Sequence, residues 1–302
     1  MMKMSSRRTW CVLACALATV MQGRDAAGQE RFSRDQNVAP VYEGWIKKAD
    51  GTYDMYFGYL NRNWVEEPIV PVGPNNSLSP GPEDRGQPTY FYPRRQEFSF
   101  IVNVPADWGP TKELIWTLTV NGKTDRAYGW LKPEWEIDEL LIARNPGNQG
   151  GRTPEEIFEN KKPSITIEPV QTVRLPATLT LNVSITDDGL PKALPKRQRS
   201  ASLETLSAPP APVNVPTYRI QLIPRNDLSV RWMVHRGPGH VTFDPSGYQV
   251  AKGGEGKTSG KTTTVARFVE PGVYVLRAYA ADGVAYATKD ITVTVTKNGT
   301  QH

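Results

Sequence analysis

The stretch FVEPGVYVLRAYAADG, Phe268 to Gly283, decides how the second half of this chain is read. Pro271-Gly272 ends whatever strand precedes it and turns the backbone. Tyr274, Leu276, Ala278 and Ala280 then share one face, while Val275, Arg277 and Tyr279 share the other. Alternation of period two marks a strand with one buried side. Asp282-Gly283 reverses the chain, and Ile291, Val293 and Val295 supply the next strand, with threonines facing outward. Trp232 lies between Val230 and Val234. Small Ala278 and Ala280 leave room for it, so the pattern predicts two sheets closed around Trp232.

Upstream, ATLTLNVSITDDG places Leu179, Leu181, Val183 and Ile185 on one face before Asp187, Asp188 and Gly189 break the strand. Between it and the Trp232 strand runs LPKALPKRQRSASLETLSAPPAPVNVP, proline-rich and basic, with the composition of a linker. Yet VQTVRLPATLTLNVSITDDGLP on one side, and VRWMVHRGPGHVTFDP, TTTVARFVEPGVYVLRAYAADG and KDITVTVT on the other, resemble two parts of one module. That module is the PKD-like, immunoglobulin-like domain of exported bacterial proteins. The likeness runs from about 163 to 297 and rests on Trp232, the Gly237-Pro238-Gly239 turn, Pro271-Gly272-x-Tyr274 and Asp282-Gly283. It implies a single sandwich with an insertion at about 192–227, so Leu181 and Trp232 should share a core.

The region 38–162 reads as a second antiparallel β domain. Tyr53, Met55, Phe57 and Tyr59 alternate; so do Phe98, Phe100, Val102 and Val104, and Leu114, Trp116, Leu118 and Val120. Asp50-Gly51 and Asn121-Gly122 are hairpin turns. TPEEIFEN predicts a short helix capped by Thr153, and PEWEIDELLIA fits either a helical turn or a strand. The stretches VYEGWIKKADGTYDMYFGYLNRNW and RGQPTYFYPRR resemble an uncharacterised domain of exported bacterial proteins, which carries no activity over.

Residues 1–28 read as a signal peptide: Lys3, Arg7 and Arg8, then the 12-residue apolar run WCVLACALATVM, then Ala26, Ala27 and Gly28. Arg7-Arg8 leaves the general secretory and twin-arginine routes both open. Cleavage removes four basic residues and one acidic residue, leaving 32 basic against 30 acidic, a net charge of +2. So balanced a surface argues against nucleic acid as a partner. Cys11 and Cys15 leave too, and with them any disulfide, thiol nucleophile or cysteine metal site. No later stretch is apolar enough to span a membrane.

Candidate chemistry is sparse. AKGGEGKTSGKTTT has Ala251 and Glu255 where a phosphate loop needs glycine. His235 and His240 lack an accompanying nucleophile elbow. Asp187, Asp188 and Asp282 are too few for a calcium shell. Glu134, Glu136, Asp138 and Glu139 beside Trp130 and Trp135 are the one acidic cluster near aromatic rings, as a glycosidase would need. Trp64, Trp108 and Tyr92 sit in loop-like contexts where exposed rings stack on sugars or anchor a protein. Lys196, Arg197 and Arg199 of the insertion suit a solvated loop.

The sequence therefore predicts an all-β protein of two antiparallel β-sandwich domains, the second immunoglobulin/PKD-like with a long loop insertion. The expected role is exported, cofactor-free, non-catalytic binding of a protein or glycan at the cell envelope. Trp64, Trp108, Tyr92, Trp130 and Trp135 are the candidate ligand-binding residues. The alternatives are a glycan-acting enzyme using the Glu134–Glu139 cluster and a structural subunit of an envelope assembly, whose edge strands would pair with neighbours.

Overall fold

The computed structural model describes residues 32–144, 154–169, 172–192, 227–252 and 258–297. The expected signal peptide, Thr153 and nearly all of the expected insertion lie outside them. Strands dominate the regular structure of the described residues, with three short helical segments beside them.

Six strands build the first sandwich. β1 (Val38–Lys47), β2 (Tyr53–Asn61) and β4 (Arg94–Val104) form one antiparallel sheet in the order β1-β2-β4. β3 (Asn76–Ser79), β5 (Leu114–Val120) and β6 (Lys123–Gly129) form the other, in the order β3-β5-β6. The Asn121-Gly122 turn pairs Val120 with Lys123, and both turn residues have positive φ (50° and 72°), as a two-residue hairpin demands. Between the sheets Phe57 stacks on Phe100 at 5.4 Å, and Trp116 meets Phe100 edge-on at 4.8 Å. The ambiguous PEWEIDELLIA resolves into a 3₁₀ turn, Pro133–Trp135, and a short helix, Glu139–Arg144. TPEEIFEN carries a second helix, Pro154–Glu159.

Nine strands build the second sandwich: β7 (Ser164–Ile167), β8 (Val173–Arg174), β9 (Leu179–Thr186), β10 (Ser229–Arg236), β11 (Val241–Asp244), β12 (Gln249–Val250), β13 (Ser259–Phe268), β14 (Gly272–Ala281) and β15 (Tyr286–Thr296). The sheets run β11-β13-β9-β7 and β12-β10-β14-β15-β8. In immunoglobulin lettering these are D-E-B-A and C′-C-F-G-A′, with β8 parallel to the last strand. One departure is that β12, beside C, follows β11 in the chain. Leu181 and Trp232 lie in the same core, although most of the chain between them is outside the described residues. Trp232 faces Ala278 directly across the β10–β14 pair.

The opening stretch now has a physical reading. The Tyr274 hydroxyl donates to the Glu270 carbonyl at 2.8 Å, the tyrosine corner of immunoglobulin-like folds. Gly237 lies flat on the Tyr274 ring; a Cβ there would sit 2.3 Å from Cδ1. Gly272, at φ +146°, meets Pro238, which a Cβ would approach to 2.6 Å. Gly237-Pro238-Gly239 and Pro271-Gly272-x-Tyr274 are thus two sides of one packed corner, and Tyr274 is completely buried.

Leu181→Ala should lower stability by about 2–5 kcal/mol through the cavity it leaves. Tyr274→Phe should cost about 1 kcal/mol through the lost hydrogen bond. Urea titration checks both, and each should shift the midpoint of the transition that reports on Trp232.

Candidate functional site

The densest polar geometry lies where the two sandwiches meet, and a short strap of the first sandwich creates it. Thr89-Tyr90-Phe91-Tyr92 lies between Pro88 and Pro93, bending at Thr89 and making a β-bridge from Tyr90 to Ile69. Phe91 enters the first core with no exposed surface, whereas its neighbour Tyr90 belongs to the second. Alternation along an extended chain sends consecutive side chains to opposite sides, so one dipeptide serves two cores. Buried asparagines hold the strap in register. Asn61 Nδ2 donates to the Phe91 carbonyl (3.0 Å), and Asn76 Nδ2 donates to the Pro88 carbonyl (2.8 Å). Asn76 Oδ1 meanwhile accepts from Trp116 Nε1 at 2.9 Å.

The second sandwich answers with the end of β10. A register shift between Val234 and Arg236 bulges the strand at His235. The His235 carbonyl accepts from Thr89 N–H (3.1 Å), and its Nε2 lies 2.9 Å from the Gly86 carbonyl, so this nitrogen carries the proton. Val234 N–H donates to the Tyr92 hydroxyl at 3.0 Å. Arg236 donates from Nε to the Gln87 carbonyl (2.8 Å) and grips Asp84 through both Nη atoms (3.0 and 2.7 Å). On β14, Arg277 makes a second two-point pair with Asp290 (2.7 and 2.8 Å) and also reaches the Ser99 carbonyl of β4. At the rim, the Tyr90 hydroxyl contacts Glu67 and lies 2.6 Å from His240 Nδ1, itself 3.2 Å from Glu67.

These surroundings set the protonation states. Burial lowers the His235 imidazole to about 3, and the nearby Arg277 charge adds to the effect. His240 moves the other way, raised by its hydrogen bond to Glu67. Burial alone would raise Asp290, but the Arg277 pair outweighs it and holds the carboxyl below its ordinary value.

Most of the candidate rings are already engaged by the protein's own groups. Trp108, expected in an exposed loop, is instead buried in the first core; its Nε1 donates to the Lys112 carbonyl (3.0 Å), and Lys112 Nζ lies 4.1 Å over the ring. Tyr92, also expected to be exposed, packs against the second core and serves the joint. Trp64 is half-buried beneath the Arg94 guanidinium at 4.4 Å, and Trp130 beneath Lys132 Nζ at 3.8 Å. These cation–π contacts leave little open ring for a sugar. Trp135 differs: it is 39% exposed and stands 5.4 Å from Tyr42, whose hydroxyl donates to the Trp130 carbonyl (2.7 Å).

Glu134, Glu136, Asp138 and Glu139 are all exposed. Asp138 caps a backbone N–H at Leu141 (2.7 Å), and Glu139 pairs with Lys162. Their local duties are thus capping and surface pairing. A separate open groove of about 510 Å³ lies between Pro68–Pro74 and Thr119–Asn121. Little in the amino-acid pattern warns of the joint. Its signal was TYFY, an apolar run without polar alternation, which fits a segment covered on both sides.

No protein-family model and no curated protein matches the chain. Solved structures with some likeness include domains 4 and 5 of the S-layer protein SbsC, at 9% identity over 61% of this chain and 65% of that one, TM-score 0.21. Others are titin domains Z1Z2 in complex with telethonin, at 11% identity over 86% and 98%, TM-score 0.22, and Clostridium thermocellum CbhA fibronectin(III)-like modules, at 9% over 82% and 90%, TM-score 0.23. The chain therefore spans just under two thirds of the S-layer fragment. Scores this low carry no weight here, and the immunoglobulin-like assignment rests on the strand order. Among the described residues, no helix is long and apolar enough to cross a membrane.

The joint should titrate. Unfolded, His235 binds a proton near its ordinary value of about 6.5; folded, it resists until about 3. The unfolded state therefore binds more protons throughout that window, and stability should fall steadily as pH drops through it. His240 contributes with opposite sign: its share is full below about 6.5 and is lost as pH rises through its raised value. Thermal midpoints measured from pH 3 to 8 should show His235→Gln flattening the acid limb, and His240→Gln reducing stability chiefly at the acid end.

Proposed function

We propose that this is an exported, non-catalytic binding protein, in which a PKD-like module (about 163–297) and the preceding domain (about 38–162) act as one rigid platform. The observation that carries this reading is the joint. The most strongly perturbed groups there, His235, Arg277 and Tyr90, are engaged in holding the sandwiches together. A chain that spends its buried ionic and aromatic groups on fixing the angle between two sandwiches is suited to presenting a surface. The partner would be a protein or glycan of the cell envelope, and residues 1–28 support the export route.

Binding would involve Trp135, the exposed ring of the candidate set, backed by the buried Tyr42 ring 5.4 Å away. An exposed ring with Glu134 and Glu136, also exposed, as its chain neighbours combines stacking with polar contacts. The acidic residues then serve as a polar rim in place of the acid–base pair that an enzyme would need.

The mature protein should bind at least one fraction in a screen of envelope glycans and envelope protein. Trp135→Ala should weaken that binding by about tenfold or more, whereas a buried ring such as Trp108 should affect stability first. Binding absent from every fraction, or unchanged in Trp135→Ala, contradicts the reading.

A further inference from the structure

The outward face of the β10–β14 pair carries two arginines, Arg231 and Arg277, and Arg236 follows just beyond the bulge. Arg277 and Arg236 are each clamped by a carboxylate through two hydrogen bonds, Asp290 and Asp84 respectively. Arg231 has no such partner among the described residues. Its guanidinium lies 5.1 Å from the Tyr248 ring centre and 5.4 Å from that of Tyr279. Its Nε is buried and makes no hydrogen bond. Tyr286 extends the aromatic wall, 6.1 Å from Tyr279. All three tyrosines and Arg231 are half-buried rather than sealed.

A buried guanidinium N–H without an acceptor is destabilising. On the same face, two other arginines obtain a two-point acid. We propose that Arg231, with Tyr248, Tyr279 and Tyr286, is a recognition site for the carboxylate of an acidic saccharide. With Nε turned inward, the two Nη atoms match a planar carboxylate end-on through two parallel hydrogen bonds, the arrangement that Arg236 already displays with Asp84. Arg231 is the cation here without a carboxylate among the described residues, and one such charge favours a carboxylate over a doubly charged phosphate. Tyrosine rings offer flat apolar faces to the C–H side of a sugar and hydroxyls to its rim. Of the charged groups around this wall, Arg277 contacts Tyr279 but is neutralised by Asp290, and Glu139, which acts on Tyr286, is paired with Lys162. This site deepens the binding role proposed above and uses residues other than Trp135.

The test is calorimetric titration of the mature protein with oligogalacturonate and with its methyl ester, which keeps the sugar and removes the charge. The acid should bind at least tenfold tighter than the ester. Arg231→Met should abolish that difference, while its thermal midpoint without ligand stays equal to or above that of the parent, since an unpartnered buried donor has been removed. Equal binding of acid and ester, or acid binding undiminished in Arg231→Met, overturns the site. So does a loss of several degrees in the unliganded midpoint of Arg231→Met, which would make Arg231 a structural residue. An acidic peptide that competes more strongly than the saccharide overturns the ligand class. Any of these results leaves the wider binding role standing if Trp135-dependent binding persists.

Discussion

Two adjacent side chains, Tyr90 and Phe91, point into two different cores, and most of the architecture follows from that constraint. A strap that contributes to both cores cannot follow one sandwich if the other moves. The hydrogen bonds at Thr89, Gln87, Gly86 and Tyr92 then fall into register with the β10 bulge. The two-point Arg236–Asp84 pair guards the edge of this contact, where it is partly screened by solvent. The apolar anchoring therefore carries most of the energy, and the polar contacts fix its geometry.

The same logic explains where unusual electrostatics occur. Removing an imidazole from water favours its neutral form, and the Arg277 charge nearby strengthens that preference. His240, at the rim, keeps contact with water and gains a carboxylate. The chain's two internal histidines thus occupy the same joint but respond to acid in opposite directions. Perturbed groups often mark catalytic sites, but structural networks perturb them too. Here each has a specific mechanical partner.

Much of the fold was legible because strand periodicity is a local property. The faces assigned to Leu181, Tyr274 and Leu276 are the buried faces, and Ala278 lies opposite Trp232 as its small size suggested. The tyrosine corner could be anticipated from Pro271-Gly272-x-Tyr274 for the same reason. The joint was not legible, because its partners lie about 150 positions apart and no local pattern links Gly86 with His235. The strap itself, flanked by prolines, reads as a loop. The rings misled in an instructive way. Trp108 follows Asp107 and precedes Gly109, so it reads as exposed, but its Nε1 finds a carbonyl four residues on and folds the side chain inward. Arg94, Lys112 and Lys132 cover three of the tryptophans. Pairing of that kind is a tertiary outcome that composition cannot reveal.

The central claim is that the two sandwiches unfold as one body because they share a strap. Differential scanning calorimetry of the mature protein tests it most directly. The account predicts one transition whose calorimetric and van't Hoff enthalpies agree. Two separable transitions, each carrying the enthalpy of a single sandwich, would contradict it.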